Sequence, residues 1–271
     1  MLTQMFTVEK PAIAMIQLRP LPGSYRHTGE PLKSIIDAVL GEATILANAG
    51  FDGLQLQNMG DNPSTRRVGP ETVAYMTAAA VAVKQAFPTL SLSVLVNWDA
   101  EAAIAVADAT GADFVRIEHT FTGVAVTSWG LSEACCYEAT RFHRRIGARL
   151  PIFADVYEPH AVPLGPRPIA QAAREAVDEG GADGLFVTGK DVQQSIAWLR
   201  EVRRALPHVP LFLGGGATAD NVGEALPLVD GVVVATWIKG GDMRNPVDPQ
   251  LARRFMVAVL EARRSAASDR V

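Results

Sequence analysis

Arg116 and Glu118 in FVRIEH, Asp155 in PIFADV and His160 in VYEPHAV are the residues of this chain whose types and spacing suit catalysis. Asp155 follows the apolar run Ile152-Phe153-Ala154, so it ends a strand that reads as buried. A carboxylate there needs a partner, a metal or a catalytic reason to exist. Two readings fit: an ion pair with Arg116 or Arg19 that ties loops together, or an acid/base group. In the second, Glu118 would hold a different protonation state, so that a proton can be taken and returned. His160 lies in an extended stretch after Pro159, from which an imidazole can reach back to assist. Glu118, His119, Asp155 and His160 also offer carboxylate and imidazole ligands to a divalent ion, although their spacing matches no recognised zinc pattern. No organic cofactor is implied.

A second cluster consists of backbone. In PLFLGGGATADN an apolar run leads into Gly214, Gly215 and Gly216, where N–H groups can approach an anion closely, and Thr218, Asp220 or Asn221 can cap the following helix. The next apolar run, GVVVA, leads into a turn carrying Thr236 and Lys239. Together these two turns read as a phosphate site, with Lys239 adding charge. An unliganded turn is the competing reading of three glycines taken alone.

The elements that must hold these groups are short apolar runs alternating with helical stretches. AIAMIQL, GLQLQN, LSLSVLV, FVRIEH, PIFADV, GLFVTG, PLFLG and GVVVA read as eight strands, and segments such as PETVAYMTAAAVAVKQAF read as helices. Gly-Phe-Asp-Gly and Gly-Ala-Asp junctions suit a helix C-cap followed by the next strand. Eight βα units favour a (β/α)₈ TIM barrel. A doubly wound sheet would put its glycine fingerprint after the first strand, not the seventh. In a barrel, the C-terminal strand ends face the site. That rule adds Arg19, Asn58, Asn97, Arg116 and Lys190 as ligand-orienting groups, beside Gln17, Gln57, Asp61, Asp99, Thr188 and Asp191. Asp99 also suits a helix cap, and Asp61 a turn. TGVAVTSWG, after the fourth strand, reads as a long loop whose Trp129 either closes over a ligand or packs on the rim.

Size and charge agree with this. The 271 residues approach the ~250 of one barrel, so one domain is expected over 1–271 with its core at about 12–265. A net charge of −4 argues against nucleic acid as partner. Cys135 and Cys136 are the only cysteines and make no disulfide framework. No run reaches the ~18 apolar residues of a membrane helix, and MLTQMFTVEKP has no apolar signal core. A cytoplasmic protein is expected, and a homo-oligomer is compatible with the chain.

Ordered motifs across nearly the whole chain resemble the BtpA family, a TIM-barrel group that includes SgcQ-like proteins. They are AMIQLRPLPGS, GFDGLQLQNMGD, RRVGPETVAYMTA, FADVYEPHAVPL, GGGATADNV and DGVVVATWIKGGDMRNPVD. The resemblance implies a barrel of the ribulose-phosphate-binding type and either of two roles. One is an enzyme acting on a small phosphorylated, sugar-like or nucleoside-like ligand, by glycosidic hydrolysis as in a nucleosidase or by isomerase or lyase chemistry. The other is a non-catalytic biogenesis factor of the photosystem I type. The chain departs from the family pattern at Gln57-Asn58 for Glu-Asn, Glu118 for Asn, Ser128-Trp129-Gly130 for Asp-Gln-Gly and Pro159 for a basic residue. These positions fall at the expected mouth and imply a divergent member with an altered substrate or mechanism.

Overall fold

The computed structural model describes residues 1–118 and 120–268. All eight expected runs are barrel strands: β1 Ala12–Gln17, β2 Gly53–Gln57, β3 Ser91–Leu95, β4 Phe114–Ile117, β7 Ile152–Asp155, β9 Gly184–Val187, β10 Leu211–Leu213 and β11 Gly231–Val234. They close in the order β1-β11-β10-β9-β7-β4-β3-β2. Neighbours run parallel, and closure pairs Ala12 with Val232.

Alternation along each strand sorts the side chains. Outward residues such as Ala14, Leu54, Val94, Val115, Leu185 and Val232 pack against the helices. Inward, Phe114, Phe153, Phe186 and Phe212 stack with Phe6, Met15 and Val233. The rings fit because β9 and β11 begin with glycine: a Cβ on Gly184 would stand 2.3 Å from the Phe153 ring, and one on Gly231 2.2 Å from Phe212. Phe6 closes the lower end, behind the short helix α1 (Leu2–Met5), with its ring centroid 6.2 Å from that of Phe114.

The outer helices are α2 Leu32–Ala49, α3 Pro70–Ala86, α4 Ala100–Thr110, α5 Cys136–Ile146, α6 Ile169–Arg174, α7 Val192–Ala205, the one-turn α8 Val222–Ala225 and α9 Pro249–Ser268. Gly50 and Gly111 end α2 and α4 in the left-handed conformation, as the junction motifs imply. The aspartates of those motifs have a shared task. Asp52, Asp113, Asp183 and Asp230 each accept an N–H from the first or second residue of the preceding barrel strand, Ala12, Leu92, Ile152 and Leu211, at 2.8–2.9 Å. The sequence repeat is therefore a strand-pinning device at the end opposite the site.

The connection after β4 is more ordered than the loop expected from sequence. It forms the hairpin β5 (Val124–Thr127) and β6 (Gly130–Glu133), and β8 (Ala161–Pro163), from the loop after β7, joins it. The result is an antiparallel sheet in the order β6-β5-β8. Val-Ala-Val-Thr has the period-two, β-branched pattern of a half-buried strand, and Ser128-Trp129 turns the chain. Trp129 meets Trp98 edge-on at 5.2 Å, so it packs on the rim.

Candidate active site

Arg116 and Asp155 are the last inward residues of β4 and β7, which lie side by side. Asp155 Oδ2 accepts from Arg116 Nε and Oδ1 from Nη2, both at 2.8 Å, in the bidentate fork that guanidinium and carboxylate favour. Both side chains are buried. The guanidinium lies 4.3 Å from the centroid of the Phe186 ring and donates through Nη1 to the Gly214 carbonyl at 3.3 Å. Burial pushes the Asp155 carboxyl up to about 7, against the pull of Arg116 and with smaller upward contributions from Glu118 and Glu158. Burial lowers Arg116, but the charge and hydrogen bonds of Asp155 outweigh it and leave Arg116 above its ordinary value. The pair thus joins a permanent cation to a carboxyl that exchanges its proton near neutrality. The ion-pair reading and the acid/base reading of Asp155 describe the same geometry.

Glu118, one turn of the pleat beyond Arg116, places Oε1 3.8 Å from Arg116 Nη2. Its Oε2 accepts from Gln57 Nε2 at 3.1 Å, and Gln57 also donates to Asn97 Oδ1 at 2.7 Å. Asn58 works inside the scaffold. Its Oδ1 accepts the Asn97 N–H at 2.7 Å and its Nδ2 donates to Asp61 Oδ2 at 3.0 Å. Asp61 in turn accepts the Leu21 N–H at 2.7 Å, and burial raises its carboxyl despite these bonds. It is more than a turn-former, since it ties the β1 and β2 loops together. Gln57, which the strand-end rule names without a role, orients Glu118. A glutamine at an inward strand end was the signal available.

The other expected residues separate into groups. Arg19 is exposed and paired with Glu30 at 2.5 Å, and Lys190 is exposed at the turn before α7. His160 is exposed on the turn into β8, outside the lining of the cavity above Asp155. His119 lies outside the described residues, and among those described no group of three or more His, Cys, Asp or Glu is set to hold a metal. Asp99 and Asp191 cap α4 and α7. Burial pushes the Cys135 thiol up to about 12, so it is no thiolate nucleophile.

In the glycine turn, the Gly214 N–H donates to Val187 at 3.2 Å and so continues the barrel ladder rather than facing a ligand. Among the described residues, no protein acceptor takes the N–H of Gly215 or Gly216. Asn221 braces the turn by donating to the Gly216 carbonyl at 2.8 Å. Thr236 is exposed nearby in sequence to the buried Lys239. The Lys239 ammonium, expected to add charge at the phosphate site, is held by both oxygens of Glu42 on α2, at 3.0 and 2.7 Å.

The small sheet roofs this arrangement. A cavity of about 40 Å³ lies beneath it, with Glu118, Asp155 and Glu158 at its polar end and Val124, Pro163 and Leu164 from the roof. Its volume matches a small group.

No helix among the described residues is long and apolar enough to cross a membrane. Phosphoribosyl anthranilate isomerase from Thermus thermophilus superposes with a TM-score of 0.53 at 16% identity, covering 93% of this chain and 98% of that one, a likeness of fold. An uncharacterized protein of Thermococcus kodakarensis is 35% identical over 259 residues, which span 94% of this chain and 97% of that protein. The photosystem I biogenesis protein BtpA of Synechocystis is 34% identical, over 97% of this chain and 93% of its own length. With residues 8–261 matching the family as a whole, this chain belongs to the BtpA family.

Proposed function

We propose that this barrel is an enzyme that acts on a small phosphorylated, sugar-like or nucleoside-like ligand by acid/base chemistry, as a glycosidic hydrolase or an isomerase or lyase. The observation that carries the reading is the buried Arg116–Asp155 pair beneath the roof, with a second carboxylate, Glu118, beside it. Asp155, raised to about 7, holds or releases a proton at working pH. Arg116, whose fork is already oriented by Asp155 and Gly214, steadies negative charge that develops on the ligand. Glu118, oriented by Gln57, is the complementary base. His160 has no part in this reading. Phosphate rests on the N–H groups of Gly215 and Gly216 and on Thr236, without Lys239.

The test is a thermal-shift titration with inorganic phosphate and ribose 5-phosphate. A ligand at a hundred times its Kd adds about 2.7 kcal/mol of stability, a shift of several degrees. The shift should survive Asp155→Asn and vanish with Gly215→Asp. No shift with either compound in folded wild-type protein removes the phosphate reading. The second reading, a non-catalytic biogenesis factor, is favoured by the Synechocystis relative, a photosystem I biogenesis protein. It predicts that Arg116→Met and Asp155→Asn leave the biological role intact.

A further inference from the structure

The roof has a second face. In the register of the small sheet, Leu131 stands opposite Val126 and Val126 opposite Val162, which makes one row across all three strands. These three side chains are 52%, 41% and 68% exposed, while Ala125 and Ser132, between them along the strands, point inward and are buried. Val124 and Leu164, joined by the Leu164 N–H to the Val124 carbonyl at 2.8 Å, extend the patch towards the cavity. With Trp129 at the hairpin turn, the patch exposes roughly 500 Å² of apolar surface, at the upper end of what a monomer commonly shows. Its one charged member, Glu133, lies at the edge and is paired with Arg66 at 3.5 Å.

We propose that this face is the contact between two copies of the chain, related by a two-fold axis running along β5. Two features select a second copy over another partner. The first is area. A stable interface buries about 800 Å² per partner and is about 55–65% apolar, or roughly 500 Å² of apolar surface, which the patch supplies by itself. The second is self-complementarity. A two-fold along β5 sets Val126 against Val126 and Leu131 of each copy against Val162 of the other, so the larger side chain meets the smaller twice. No charge at the centre demands an oppositely charged partner. The same sheet lines the cavity above Asp155, so association would also fix the roof in place.

Sedimentation velocity on the full chain at about 100 μM should give a species of twice the 28.9 kDa chain mass. Val126→Glu, which sets like charges face to face on the axis, and Leu131→Lys should each yield monomer, with at least a hundredfold loss of affinity and an unchanged far-ultraviolet circular dichroism spectrum. Val257→Glu on α9, at another exposed apolar position, should remain dimeric. As an independent readout, Val126→Cys should form a disulfide-linked dimer under mild oxidation where the wild type does not. A monomeric wild type, a dimer indifferent to both roof substitutions, or a dimer broken only by Val257→Glu would overturn the proposal.

Discussion

Replacing Asp155 by asparagine removes one titrating group and keeps the shape of the side chain. The carboxyl has an ordinary value of 3.8 and is raised to about 7 in the fold. Between those values the folded protein binds a proton that the unfolded chain does not. Its contribution to stability is therefore fully present below 3.8 and is lost as pH rises through 7. A difference of about three pH units at 1.36 kcal/mol each amounts to about 4 kcal/mol across that window. Urea unfolding of wild type and Asp155→Asn, followed by tryptophan fluorescence from pH 4.5 to 8, isolates the effect. The stability of wild type minus variant should fall by about 3–4 kcal/mol towards pH 8. Any fixed offset from leaving Arg116 with a neutral partner cancels from the slope. A flat difference, or one that rises with pH, would mean that the guanidinium outweighs burial and holds the carboxylate ionised, and Asp155 would lose its claim to proton transfer.

Two further substitutions probe the frame. Gly184→Ala forces a Cβ to within 2.3 Å of the Phe153 ring and should cost about 1–3 kcal/mol by overpacking, read as a lower melting temperature. Lys239→Met strands Glu42 beside a buried site and should cost about 3 kcal/mol, with most of the loss recovered in Lys239→Met/Glu42→Met and no change in phosphate affinity, because the ammonium serves the scaffold.

The barrel was legible because its strands are buried on both sides and so read as apolar runs, from Ala12 to Val234. Asp155 was legible for a related reason, as an ionisable residue at the end of such a run. What the sequence obscured was pairing. Lys239 reads as charge for a phosphate because its partner, Glu42, lies almost two hundred residues away on α2. Asn58 and Asn97 looked like ligand groups, yet a backbone N–H and a carboxylate take up the Asn58 amide, and only folded loops bring these together. The roof was missed because its strands are four, four and three residues long and come from two separate loops. Short segments of that kind gain their strand character from one another rather than from any local signal.

The closing register also constrains the order of assembly. Ala12 pairs with Val232, the Lys10 ammonium donates to the carbonyls of Leu226 and Val229, and Arg263 donates to the Lys10 carbonyl. One edge of β1 is held early by β2 and Asp52, whereas its other edge must wait for β11, more than two hundred residues later. Until then Phe6, the stopper of the lower end, has no finished cavity to fill. A nascent chain of this protein is an open seven-eighths of a cylinder with its aromatic interior uncovered.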